Sequence, residues 1–289
     1  MRRRPRLVTL TTDIGWAYAA QMKGVLHTLA PGVPVVDLAH DLPAHGVREA
    51  AFLLRQMAGT FPPGSVHVAV VDPGVGGRRR PIAIECVDGT LLVGPDNGVL
   101  TPLAQARRVR SVRAVRPGAV GLGADEVSAT FEGRDLFARA AALLARGTPI
   151  ERLGPAVGSI APSPLVPPRP RPHGADGTIV HVDRFGNLVS DVPAAWLPEG
   201  VPMLDVRIGG RRAPRLSRRR TYEEFGPPGS LGLLGSSFGT IEVAAREASA
   251  ARSLGASAGD ALRLDWPPPS RRRPPVGGPR PGRRRKDGK

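Results

Sequence analysis

The chain has 289 residues, a net charge of +16, 41% hydrophobic residues, 4% aromatics and a single cysteine, Cys86. That length holds two modest domains, each with its own core. No apolar run approaches a membrane span, and one thiol excludes an intramolecular disulfide and a cysteine-built metal site.

The charge is concentrated at the ends. Residues 1–6 carry four arginines, and residues 270–289 carry nine arginines or lysines against Asp287. Such basic, Pro- and Gly-rich ends cannot build a core, so a disordered head (1–6) and tail (267–289) are expected. The plain reading of the tail is a solubilising extension; the sharper one is weak polyanion binding through counterion release. Met1-Arg2-Arg3-Arg4 has the look of a signal-peptide head, but Thr9, Thr11, Thr12 and Asp13 interrupt the apolar segment that should follow, so a cytoplasmic protein is expected.

In chain order, Leu7 to Leu10 reads as a short strand ending at Thr11-Thr12-Asp13. Ala19, Met22, Val25, Leu26 and Leu29 recur at helical spacing before Pro31. A strand over Val33 to Leu38 and a helix over Val47 to Ala58, with Ala51, Leu54 and Met57 inward, come next. The buried run Val66 to Val71 delivers Asp72 to a strand end, and strands Ile82 to Val87 and Leu91 to Val93 and a helix over Leu136 to Ala145 follow. Strand alternating with helix predicts an α/β N-terminal domain (7–160) with a largely parallel or mixed sheet. The proline-rich stretch 161–174 reads as a linker. Beyond it, short strands over 178–183, 188–192, 203–208, 240–244 and 261–265 alternate with glycine turns and predict a small all-β, barrel-like domain (175–266).

Ligand sites in α/β sheets lie beyond the carboxyl ends of the strands, which draws attention to Asp13 and Asp72. After Asp72, Pro73, Gly74, Gly76 and Gly77 let the backbone turn sharply, and Arg79 can return to hold the Asp72 carboxylate. The bland alternative is a turn in which Asp72 caps the local backbone. Asp13 can accept both hydroxyls of a ribose or, more simply, cap the following helix. Asp183-Arg184-Phe185-Gly186-Asn187 places an acid, an aromatic and an amide in one loop, a set suited to a purine edge and an ammonium group but equally to a hairpin turn. His40, His45 and His67 fall on different elements without ligand spacing and read as core or surface histidines, with no metal site.

Together, Thr11-Thr12-Asp13-Ile14-Gly15, Met22-Lys23-Gly24-Val25, Asp72 to Arg79, Gly94-Pro95-Asp96-Asn97-Gly98, Thr130-Phe131-Glu132-Gly133-Arg134-Asp135 and the 183–187 loop resemble the S-adenosyl-L-methionine hydrolases. These are the hydroxide adenosyltransferases, relatives of the fluorinases and chlorinases. The resemblance implies hydrolysis of S-adenosyl-L-methionine to adenosine and methionine by water attack at C5′, with no cofactor. It implies a catalytic set Asp72, Arg79 and Glu132. For the substrate it implies Asp13 on the ribose, Asp96 and Asn97 close to the nucleoside pocket, Asn187 at adenine, Asp183 at the amino-acid end, Ser236 and Ser237 on the carboxylate, and Phe131 and Phe185 among the other substrate-binding residues. It also implies a homotrimer with sites between subunits.

Three positions depart from that pattern. Glu132 stands where the hydrolases place a histidine, Gly15-Trp16-Ala17-Tyr18 is a shortened loop without its usual acid, and Phe238 replaces an arginine of some members. With these changes the competing expectation is a nucleoside-binding module, or an enzyme acting on another adenosyl ligand. A halogenase is disfavoured, because Asp72 occupies the position of a tyrosine in those enzymes and a carboxylate repels a halide.

Overall fold

The computed structural model describes residues 6–198 and 203–267. The predicted basic head and tail, apart from Arg6 and Pro267, lie outside the described residues.

The first half is built on six strands: β1 (Val8–Thr12), β2 (Val35–Ala39), β3 (Val66–Val70), β4 (Pro81–Cys86), β5 (Leu91–Pro95) and β6 (Val109–Ala114). They form one mixed sheet in the order β2-β1-β3-β5-β4-β6. β1 pairs in parallel with β2 and β3, and β3 with β5, whereas β4 is antiparallel to both of its neighbours. Helices α1 (Gly15–Leu29) and α4 (Ala138–Ala145) cover one face, with Met22, Leu26, Phe137 and Ala141 packed on Val8, Val68 and Val93. Helices α2 (Val47–Met57) and α3 (Thr101–Arg107) cover the other, with Phe52, Leu54 and Leu103 packed on Ala69, Ile84 and Leu92. Burial on both faces explains why β1, β3 and β5 are buried at every residue and read as continuous apolar runs rather than alternating ones.

Two elements of this half escape the sequence pattern. α3 is only seven residues long, too short to display a period, and β6 is an edge strand in which Arg110 and Arg113 break up the apolar residues. The final helix also begins earlier than predicted. A π-helical turn, Gly133–Phe137, precedes α4 and carries Glu132 at its entrance. Gly133 permits this close packing, since a Cβ there would lie 3.3 Å from Met22, Phe131 and Val70 atoms alike.

The chain then crosses to the second half. Within the stretch read as a linker, β7 (Arg169–Arg171) pairs at an edge with β8, and β8 (Gly174–Val182) starts one residue inside that stretch. β8, β9 (Leu188–Pro193), β10 (Met203–Ile208), β12 (Leu216–Arg218), β13 (Leu231–Gly235), β14 (Thr240–Ala245) and β15 (Ala261–Asp265) close into a seven-stranded barrel, β10 joining both β12 and β15. The two-residue β11 (Arg211–Arg212) extends β10, and α5 (Ala250–Leu254) follows β14. Ile179, Leu188, Val206, Leu233, Val243 and Leu264 fill the interior.

The barrel rests on α2. Val180 and Val189 share an apolar cluster with Phe52 and Leu53, Phe238 meets Phe52 edge-on at 5.9 Å, and His181 Nδ1 contacts Glu49 Oε1. Among the described residues, no helix is long and apolar enough to cross a membrane.

Candidate active site

The connection after β1 leads outward to β2, whereas β3 lies on its other side, so the topology reverses between β1 and β3. That reversal opens a crevice at the carboxyl ends of the strands. Asp13 and Asp72 follow the two strands that flank it, and Asp96 follows β5 next door.

Asp72 is held by Arg79. Arg79 Nε lies 3.0 and 2.9 Å from its two carboxylate oxygens, and Arg79 Nη2 also donates to Oδ2. The predicted return of the arginine is therefore realised as a forked, charge-assisted grip. The same Nη2 stands 2.5 Å from Glu132 Oε2, with the side chains of Asp72, Arg79 and Glu132 only 5%, 9% and 12% exposed. Burial by itself would lower the Arg79 pKa, but the two carboxylates raise it, so the guanidinium stays charged. Glu132 Oε2 thus shares with Asp72 the same guanidinium nitrogen as an ion-pair partner. Two carboxylates and one guanidinium give the cluster one net negative charge.

Local backbone explains how the three converge. Gly76 has φ +69°, and a Cβ there would overlap the Ala129 carbonyl oxygen, so the 72–80 turn can lie directly against the segment leading to Glu132. Asn97 Nδ2 donates to the Val71 carbonyl at 2.9 Å, and Asn97 Oδ1 accepts from Val99 N at 3.1 Å, fixing the backbone immediately before Asp72. Asp96 faces elsewhere. It receives Arg80 Nε at 2.9 Å and Ala161 N at 2.7 Å, fastening the 159–161 segment to the end of β5. Arg78, Arg79, Arg80 and Asp96 line an open recess of about 440 Å³ with residues 159–161.

Asp13 does not cap α1, whose N-cap residue Ile14 makes no side-chain cap; Asp13 Oδ2 instead accepts the His45 backbone N–H at 2.8 Å, and no hydrogen bond reaches Oδ1 among the described residues. Beside it, fully buried His40 places Nε2 2.9 Å from Asp37 Oδ1 and Nδ1 2.9 Å from Thr12 Oγ1. Since the carboxylate only accepts, Nε2 donates to Asp37. Burial pushes Asp37 up, but hydrogen bonds from His40 and from Lys23, the latter at 2.9 Å, hold it below the usual carboxylate range. Phe131 lies at the other rim, edge-on to Tyr18 at 5.4 Å and beneath Arg134 at 5.1 Å. Trp16 and Tyr18 are 59% and 54% exposed.

The barrel carries the remaining residues on a different surface. Asp183 Oδ1 accepts Phe185 N and Asn187 N, both at 2.9 Å, and Oδ2 accepts Asn187 Nδ2 at 2.9 Å, so the acid and the amide are tied to each other in one turn, as the hairpin reading expects. Asp183, Phe185 and Asn187 line a recess of about 520 Å³ together with Tyr222, Glu247, Ser249 and Arg252. Phe185 is 71% exposed there. Tyr222 escaped the sequence reading; an isolated Thr221-Tyr222-Glu223 segment offers no signal until the fold sets it opposite the 183–187 turn. Ser236 bonds Thr240 Oγ1 at 3.1 Å, Ser237 is exposed, and Phe238 turns toward Phe52 in a third cleft of about 770 Å³ between α2, α3 and the barrel. The structure thus joins Asp72, Arg79 and Glu132, and separately Asp183, Phe185 and Asn187, on distinct halves of one chain.

Comparison with known proteins accords with both halves. The SAM hydroxide adenosyltransferase N-terminal domain matches residues 8–154, and the corresponding C-terminal domain matches residues 177–263. An (R)-S-adenosyl-L-methionine hydrolase of Salinispora arenicola is 41% identical over 263 residues, covering 89% of this chain and 97% of that protein. One from Thermus thermophilus is 41% identical over 269 residues, covering 90% and 99%. The crystal structure of an uncharacterized conserved protein from Thermotoga maritima superposes with a TM-score of 0.83 at 28% identity, covering 90% of this chain and all of that one.

Proposed function

The chain belongs to the SAM hydroxide adenosyltransferase family, and from that premise we propose that it hydrolyses S-adenosyl-L-methionine to adenosine and L-methionine, with Glu132 taking the proton of the attacking water. The observation that carries this reading is the buried Asp72–Arg79–Glu132 cluster, in which Arg79 grips Asp72 and at the same time meets Glu132 Oε2.

The chemistry asks little more. Water oxygen bonds to C5′ as the C5′–S bond breaks, and the bond pair returns to sulfur, turning a sulfonium into a neutral thioether. The leaving group therefore needs no acid, and the reaction needs no cofactor. What the protein supplies is alignment and a base. Arg79 and Asp72 orient the water, Glu132 accepts its proton, and the cluster's net negative charge favours a cationic substrate over its neutral products.

Asp13 offers its free Oδ1 to the ribose. The Asp183–Asn187 turn and Phe185 receive the adenine and the amino-acid end, and the Ser236–Ser237 loop the carboxylate. Asn97 serves the site indirectly, by bracing the backbone immediately before Asp72, Asp96 holds the neighbouring Arg80, and Phe131 walls the site.

Because the two residue sets line separate surfaces of one chain, the site is completed by a second subunit, in a homotrimer. The exposed rings Trp16, Tyr18, Phe185 and Tyr222 on those surfaces support this. A mass measurement in solution tests it, and a stable monomer with full activity would exclude it. We place the enzyme in the cytoplasm. Weak polyanion binding by the basic tail rests on charge alone, and deletion of residues 267–289 should abolish any salt-sensitive retention on nucleic acid.

The deciding experiment is incubation of the purified protein with S-adenosyl-L-methionine, with adenosine and methionine quantified against an Asp72→Ala control. Equimolar production of both, lost in the control, is expected. Adenosine binding without turnover would instead identify a nucleoside-binding module.

A further inference from the structure

The Tyr222 hydroxyl donates to Glu242 Oε1 at 2.8 Å. The two residues differ sharply in setting: Tyr222 is 44% exposed at the rim of the 520 Å³ recess, whereas Glu242 is 5% exposed on β14. A buried carboxylate on a barrel strand is costly unless its position is used. Here it anchors the free end of a half-exposed aromatic side chain that also meets Phe225 edge-on at 6.1 Å.

Strand register shows how Glu242 is itself held. Glu242 and His181 both lie opposite Val189, one from β14 and the other from β8, so the three side chains form a row on one face of the barrel. His181 in turn contacts Glu49 of α2. The row therefore runs from the helix on which the barrel rests to the rim of the recess. Burial raises the Glu242 pKa, the Tyr222 hydrogen bond partly offsets this, and Asp183 adds repulsion against the attraction of His181. Burial, together with Glu242 and Asp183, also raises the Tyr222 phenol, so it remains a donor at any pH at which the protein works.

We propose that Glu242 is a positioning residue that fixes Tyr222 as one wall of the recess opposite the Asp183–Asn187 turn, so that a planar base is clamped by a ring held in place before binding. This rests on the reading of that recess as the base site. Preorganisation of this kind acts on affinity, because a ring already in position loses no rotamer freedom when the base arrives.

The test is adenosine binding, measured by titration calorimetry on the full chain, for Tyr222→Phe, Glu242→Gln, Glu242→Leu, Tyr222→Ala and the Tyr222→Phe/Glu242→Leu pair. Tyr222→Phe and Glu242→Leu should each weaken binding about tenfold, the size of one lost hydrogen bond to a charged or buried partner. The double variant should be no weaker than either, and Glu242→Gln, which still presents an acceptor, should bind nearly as the parent does. Should Glu242→Leu fail to fold, Tyr222→Phe and Glu242→Gln alone carry the test, since both are nearly isosteric. Binding by Tyr222→Phe equal to the parent, with Tyr222→Ala impaired, would overturn the anchoring role while leaving the recess as the base site. Unchanged binding by Tyr222→Ala would instead overturn the assignment of the recess.

Discussion

Arg79 Nη2 and Glu132 Oε2 approach to 2.5 Å, joining the turn after β3 to the entrance of the π-helical turn that leads into α4. The contact brings a second carboxylate to a guanidinium that already grips Asp72. If Glu132 is the base, Glu132→Gln keeps the volume and removes the function. Turnover of S-adenosyl-L-methionine should then fall by about 100-fold or more while KM changes little. Glu132→His, which restores the residue of the resembling hydrolases, should retain measurable turnover. Unchanged kcat in Glu132→Gln would remove this residue from the mechanism.

Arg79 is shared by two nearly dehydrated carboxylates. Arg79→Ala strands both, and breaking a buried pair by removing one partner costs about 3–5 kcal/mol. The expected result is a large loss in denaturant midpoint together with loss of turnover. Asp72→Asn/Arg79→Ala should recover part of the stability and none of the activity, which denaturation and product assays on the same samples can separate.

The close approach of the 72–80 turn to Ala129 depends on Gly76. Gly76→Ala combines φ +69° with a Cβ that overlaps the Ala129 carbonyl oxygen. Strained positions of this kind cost about 1–3 kcal/mol. Because relief of the overlap moves Arg79 away from Glu132, turnover should fall further than stability does. Equal turnover in Gly76→Ala would show that the Arg79–Glu132 spacing is not critical.

His67 lies in β3, 1% exposed, with Nδ1 2.8 Å from Thr9 Oγ1. Burial lowers its pKa from 6.5 to about 4, Arg107 adding to the effect. The folded protein therefore keeps His67 neutral where the unfolded chain takes up a proton. Stability from this residue is complete above about pH 6.5, declines as the pH falls, and levels off below about pH 4, a total of about 3 kcal/mol. Denaturant unfolding between pH 7 and 4 should show this slope, and His67→Gln should flatten it. An equal slope in the variant would assign the acid sensitivity to other groups.

The apolar runs of β1, β3 and β5 and the helical spacing of α1 and α2 are visible in the chain itself, because burial on two faces or along one stripe writes directly into residue order. β6 and α3 are not, since a short helix and an arginine-bearing edge strand carry no period. Among the site residues, the Asp72–Arg79 pair is legible because its partners lie seven residues apart across a glycine turn. Asp96 is not: its hydrogen bonds go to Arg80 and to a segment more than sixty residues away.

The sequence by itself determined the α/β and all-β organisation and the carboxylates at the strand ends. These are local properties of pattern and residue type. Only the tertiary structure decided that Glu132 shares a guanidinium with Asp72, that Asp13 holds the His45 loop rather than capping α1, and that Tyr222 stands beside Asn187 on a buried glutamate. Each of these depends on packing between elements remote in the chain, where distance, burial and the direction of a hydrogen bond decide what a side chain can do.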